Sequence, residues 1–203
     1  MLFKKLKGGG EINTFCPKSI YYNQNFYKVS IFKKHILNLS KNKKLFRNTF
    51  INVDTSHSTT YELEKDNVFK DFFKKILEES KLYLLELGYN NEFIKKVFVE
   101  SAWFNIGKKG DNLIKHIHPG SFLSGAFYVS CDDKDQIVFF GDDDMTLPPQ
   151  NFNNLSSKYT SYECIPSSLL LFKSNINHCT SSQKSKEKIT ISFNLNYIKN
   201  NIQ

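Results

Sequence analysis

Lys188-Ile-Thr-Ile-Ser-Phe-Asn-Leu-Asn-Tyr197 alternates without a break between polar and apolar side chains. Period two is the signature of a strand, so Ile189, Ile191, Phe193, Leu195 and Tyr197 share one face. Lys188, Thr190, Ser192, Asn194 and Asn196 share the other. That polar face either meets solvent or lines a polar pocket, and the strand alone does not choose. Upstream of it, β-rich runs fall at 98–106, 113–118, 122–130, 136–140, 161–165 and 169–172. Turn residues part them: Gly107 and Gly110, Pro119-Gly120, Asp132-Asp133, Gly141 to Asp144, Pro148-Pro149 and Pro166. Many short strands at fairly even spacing predict a sandwich or closed barrel.

The first half of the chain has a different texture. Apolar residues at Val68/Phe69, Phe72/Phe73, Ile76/Leu77, Leu84 and Leu87 recur at helical spacing. Asp66 or Asn67 can cap the start of this helix and Gly88 can end it. A shorter helix is expected over 92–97, a strand followed by a short helix within 26–39, and a short strand over 50–53. The basic start with Gly8 to Gly10 and the run Lys41 to Lys44 read as solvated. The chain is therefore expected to be one mainly β (α+β) domain over 1–203. Its arm and supporting helices would occupy 1–97, and its β core 98–203.

Composition bounds the function. The chain has 203 residues, 40% of them hydrophobic and 15% aromatic, which suits a packed globular core rather than disorder. No apolar run reaches the roughly 18 residues a membrane helix needs, and no signal-peptide core follows the N-terminal lysines. A cytoplasmic protein with no membrane partner is expected. Cys16, Cys131, Cys164 and Cys179 form no C-x-x-C pair, so free thiols are expected rather than a zinc knuckle. The net charge is +8, but Arg47 is the single arginine among 28 basic residues. Readout of phosphates and bases favours the guanidinium fork, so a nucleic-acid partner stands as the weaker reading.

The chemistry-bearing residues are histidines. His116 and His118 are two apart, so on a strand both imidazoles face one side and can reach one ion. His178 follows 60 residues later, and ten residues beyond it comes Lys188, with Thr190 on the same strand face. Three ligands on one face of a mononuclear iron(II) leave room for a bidentate oxo-acid and dioxygen. A dicarboxylic co-substrate then needs a cation at its far end, which Lys188 can supply with a hydrogen bond from Thr190.

On these residues the chain resembles the 2-oxoglutarate/iron(II) oxygenase superfamily, and more narrowly a family of small oxygenases common in marine bacteria and their phages. The matching segments are Trp103-Phe-Asn-Ile with Gly110-Asp111, His116-Ile-His-Pro-Gly-Ser-Phe-Leu-Ser-Gly-Ala-Phe-Tyr-Val, Leu169-Leu-Leu-Phe, His178, and Lys188-Ile-Thr-Ile-Ser-Phe-Asn. They cover about half the chain. The resemblance implies a double-stranded β-helix (jelly-roll, cupin-like) core with the N-terminal helices packed outside it. It implies Fe(II) and 2-oxoglutarate as cofactors, and hydroxylation or another oxidation of a small-molecule or peptide substrate. It makes His116 and His178 metal ligands and puts Lys188 where the superfamily usually has Arg. Tyr128 and Asn105 fall on strands that approach the co-substrate.

One departure matters: His118 stands where the superfamily usually carries Asp or Glu. Either it ligates in place of the carboxylate, or the site holds another metal or a supporting histidine. The rival functions are a cupin-like metal-binding protein and a three-histidine dioxygenase that does not use the oxo-acid. A demethylase-type nucleic-acid modifier is weaker still. His35 and His57 lack evident partners and read as surface or core residues. Asp142 to Asp144 reads as a solvated turn, the loop over 142–157 as a lid, Trp103 as core and Cys179 as a packing residue.

Overall fold

Each strand from residue 97 onward alternates its two faces, and pairing those faces in register builds the molecule. The computed structural model describes residues 3–5, 11–13, 18–45, 47–49, 53–57, 61–131, 134–141 and 158–199. The strands are β1 (Phe3–Lys5), β2 (Glu11–Asn13), β3 (Ile20–Asn23), β4 (Arg47–Thr49), β5 (Val53–Thr55), β6 (Val97–Lys108), β7 (Leu123–Ser130), β8 (Gln136–Phe140), β9 (Tyr159–Glu163), β10 (Leu169–Lys173), β11 (His178–Thr180) and β12 (Glu187–Tyr197). The helices are α1 (Ser30–Leu39), α2 (Lys70–Glu86) and α3 (Asn91–Ile94).

A seven-stranded antiparallel sheet runs β3-β10-β7-β12-β6-β5-β4, and a three-stranded sheet runs β11-β8-β9. The two lie face to face as a double-stranded β-helix. The register of β12 against both neighbours sorts the side chains. Ile189, Ile191, Phe193 and Leu195 join Phe104, Phe127, Leu169 and Leu171 in a core beneath the helices. Ala126, Tyr128, Leu170 and Phe172 point the other way, into a second cluster with Ile137 and Phe139 of the small sheet.

Aromatic packing fills the helix side. Phe72 of α2 lies 4.9 Å from Phe127, and Phe32 of α1 stacks on Phe69 at 4.8 Å, centroid to centroid. A fully buried phenyl ring contributes about 1.5–3 kcal/mol. The helices therefore clamp the outer face of the large sheet and leave its inner face for the site. Asp66 Oδ1 accepts the Val68 N–H at the start of this helical stretch, and Gly88, at φ +85°, ends it with its N–H donating to Leu85 O. Only glycine adopts that conformation freely.

Several boundaries differ from expectation. The strand expected within 26–39 lies ahead of it, at Ile20–Asn23, because it pairs with β10. The short helix closes at Ile94, since Val97 is drawn into β6 opposite Tyr197. Residues 113–118 carry a single β-bridge, at His116, instead of a full strand. β11 had no signal of its own in the sequence; three residues of mixed polarity are too few to show a period. The glycine-rich start, Cys16, Asp142 to Asp144 and the lid assigned to 142–157 lie outside the described residues. Cys131, Cys164 and Cys179 are free thiols. Among the described residues no helix is long and apolar enough to cross a membrane.

Candidate metal centre

One strand rule and one long-range pairing assemble the histidines. His116 and His118 alternate with Ile117, which is exposed, so both rings turn inward. His116 exchanges both backbone hydrogen bonds with His178, N–H to O at 2.9 Å and 3.0 Å. Residues directly opposite in an antiparallel pair project to the same face. The ring centroids lie 4.3 Å (His116–His178), 5.1 Å (His118–His178) and 5.3 Å (His116–His118) apart. One ligand atom from each ring lies within 4.8 Å of the other two.

Each ring is oriented through Nδ1. His116 Nδ1 is 2.7 Å from Ile114 O, His178 Nδ1 is 2.9 Å from Ile176 O, and His118 Nδ1 is 2.7 Å from Asn194 Oδ1. A backbone carbonyl oxygen only accepts, so the contacts of His116 and His178 put the proton on Nδ1 and leave Nε2 bare. Burial pushes the His178 pKa down to about 3, and burial also lowers that of His118. Both rings are therefore neutral at pH 7, the form that ligates. Three imidazoles gathered this closely fit a first-row divalent cation.

A cavity of about 440 Å³ opens beside the histidines, between the two sheets. The polar face of β12 is its wall, which decides the question that the alternation left open. Lys188 and Thr190 are each 8% exposed and line it. Thr190 stands opposite Asn105 on β6 and Tyr128 on β7, so the four residues expected at the co-substrate share one patch. Asn105 Nδ2 donates to Ser192 Oγ at 3.1 Å. Tyr128 is fully enclosed; burial, then Cys164, with which its hydroxyl is hydrogen-bonded, raises its pKa. Burial likewise pushes the Cys164 thiol up to about 11, while the Lys188 charge pulls the other way.

Lys188 is the conspicuous member. Among the described residues no carboxylate lies within ion-pair distance of its ammonium, and its Nζ has no hydrogen-bond partner. The Thr190 hydroxyl is likewise unpaired there. A buried cation without a counter-ion is costly, and an anion in the cavity would relieve that cost. The chemistry of the wall thus fits one end of a carboxylate co-substrate.

The sequence underrated three residues here. His57 is a cavity residue, not an ordinary surface or core one, and it packs edge-on to Trp103 at 4.5 Å and 64°. It is carried there by β5, which adds to β6, and by Ser56, whose N–H donates to Phe104 O at 2.9 Å. Trp103 itself, expected in the core, lies 5.7 Å from the His118 ring and lines the cavity. His35 is not partnerless, since it pairs with Asp66 at 2.7 Å. No local pattern marks His57, because only the β5–β6 pairing puts it near the site.

Residues 101–194 match the model of a family described as "Putative 2OG-Fe(II) oxygenase". Over that segment, a little under half of its length, the chain is similar to the 2-oxoglutarate/iron(II) oxygenases. Solved structures share the fold. A prolyl-4-hydroxylase from Pseudomonas putida is similar at a TM-score of 0.57 and 11% identity, covering 90% of this chain and 94% of its own. A prolyl hydroxylase from Trichoplax adhaerens, in complex with a hypoxia inducible factor peptide fragment, gives 0.57 and 13%, covering 88% and 83%. HygX from Streptomyces hygroscopicus, with nickel and 2-oxoglutarate bound, gives 0.57 and 10%, covering 89% and 83%. No curated protein matches the chain. The segment that matches the family begins at residue 101, so His57 and the helices lie outside it.

Proposed function

We propose that this chain holds Fe(II) on His116, His118 and His178 and anchors 2-oxoglutarate on Lys188 and Thr190, to hydroxylate a peptide or small-molecule substrate. One observation carries the reading: three imidazole nitrogens, one from each ring and all within 4.8 Å of one another, share a cavity with a buried, unpaired ammonium. Bound iron and co-substrate supply the activation of dioxygen and the oxidising power. The chain supplies placement. Lys188 neutralises the distal carboxylate and Thr190 donates a hydrogen bond to it, while Asn105 and Tyr128 bound the space its carbon chain would fill. Trp103 and Phe172 keep water from the metal side of the cavity. Lys in place of Arg keeps the charge and loses the fork, so Thr190 carries more of the orientation.

Anaerobic titration with Fe(II), with and without 2-oxoglutarate, tests the assignment. A weak visible charge-transfer band that needs both, and that disappears in His178→Ala and Lys188→Ala, is the expected result. Iron binding without the band would support the three-histidine reading that does not use the oxo-acid. Failure to bind iron would refute the ligand set.

A further inference from the structure

His118 raises a problem that a carboxylate would not. Asp or Glu offers a lone pair whichever way it turns, whereas an imidazole ligates through Nε2 only if its proton sits on Nδ1. His116 and His178 solve this with the carbonyl two residues back, Ile114 O and Ile176 O. For His118 the carbonyl two residues back is His116 O, and the His178 N–H already occupies it in the bridge at 3.0 Å. His118 Nδ1 instead meets an acceptor from elsewhere in the chain.

Asn194 stands in that place. Its Oδ1 lies 2.7 Å from His118 Nδ1 and accepts from Ser124 Oγ at 2.9 Å. Ser124 Oγ is 2.8 Å from Ser174 Oγ, and Ser174 O accepts the His118 N–H at 2.9 Å, which closes a ring of four residues. Ser124 and Ser174 are buried, and Asn194 is 9% exposed. The β12–β6 register shifts between Asn194 and Leu195, a bulge of the kind that re-aims a side chain. With Oδ1 turned to His118, the amide nitrogen of this cavity-lining residue has no hydrogen-bond partner among the described residues.

We propose that Asn194, held by Ser124 and Ser174, is the positioning residue that fixes the Nδ1–H tautomer of His118 and so makes a histidine usable where a carboxylate is usual. The inference rests on the three-histidine metal reading. Its alternative is explicit: with the amide turned over, Nδ2 would donate to His118 Nδ1, put the ring proton on Nε2 and close the ligand position.

The test reads the ring nitrogens directly. Long-range proton–nitrogen NMR of histidine-labelled, metal-free protein reports which nitrogen of each ring is protonated. In the wild type His118 is expected as Nδ1–H. In Asn194→Ala it shifts towards Nε2–H, and affinity for Zn(II) or Fe(II) falls about 10- to 100-fold, the usual cost of removing a residue that orients a ligand. Asn194→Asp, which keeps an acceptor oxygen, restores both. His116 and His178, held by backbone carbonyls, stay Nδ1–H in every folded variant and serve as an internal check. Should Asn194→Ala fail to fold, Ser124→Ala frees the amide without emptying its place and is expected to give mixed His118 tautomers. Nε2–H at His118 in the wild type overturns the proposal, as does a tautomer indifferent to residues 194 and 124. A wild type with the expected tautomer but no metal affinity would sink the metal reading and leave the positioning role standing.

Discussion

Replacing Lys188 with Met should make the protein more stable and less able to bind its co-substrate. Met matches the length of the stem but removes an ammonium that is 8% exposed and has no carboxylate partner among the described residues. Replacing buried charge with a packed apolar chain is often stabilising, by about 1–4 kcal/mol. For a chain of this size each kcal/mol moves Tm by roughly 2–4 °C, so a rise of several degrees is expected without ligand. With 2-oxoglutarate the sign reverses. Truncating one partner of a buried hydrogen-bonded charge pair costs about 2–5 kcal/mol, or roughly 30- to 4,000-fold in Kd. Thr190→Val, which deletes a neutral hydrogen bond, should cost only about 2- to 10-fold. Thermal melts of the ligand-free protein and anaerobic titration of the Fe(II) form give both numbers. Unchanged 2-oxoglutarate affinity in Lys188→Met would refute the reasoning, and a large drop in ligand-free stability would show that the ammonium is compensated in the fold.

Three further outcomes follow from the packing and the charges. Gly125→Ala should cost about 1–3 kcal/mol by urea denaturation, because a Cβ there would lie 2.2 Å from Phe193 Cζ and 2.9 Å from the backbone Leu170 O. Phe72→Ala, which removes a ring packed on Phe26, Phe32 and Phe127, should cost about 3–5 kcal/mol and leave the histidine tautomers unchanged, since it sits across the sheet from the site. Asp66 gives a pH signature. Burial alone would raise its pKa, but hydrogen bonds from Tyr61, His35 and the Val68 N–H together bring it below the usual carboxylate value. A carboxyl depressed in the folded state stabilises above its unfolded pKa and stops doing so as pH falls through the folded one. The stability gap between wild type and Asp66→Asn should therefore be full near pH 6 and shrink on acidification towards pH 3; a gap that widens would contradict the assignment.

Local periodicity determined much of this protein. The alternation from Lys188 to Tyr197 set β12 and both of its faces, and the helical spacing from Phe69 to Leu84 set α2, since each pattern reports which side of one element is apolar. The order H-x-H, His, Lys, Thr picked out residues that the fold gathers around one cavity. What tertiary structure alone decided depends on pairings between distant segments. The bridge of His116 to His178 closed the histidine cluster, and the addition of β5 to β6 carried His57 to the cavity. The stacking of the small sheet over β12 turned an ambiguous polar face into a pocket wall. Asn194 shows the limit most clearly. In the sequence it is one more polar residue on an alternating strand, and its role appears only when His118 and Ser124, 76 and 70 residues away, converge on its amide oxygen. A strand's period tells which side a residue faces, but what waits on that side is set by chain segments whose approach no local pattern encodes.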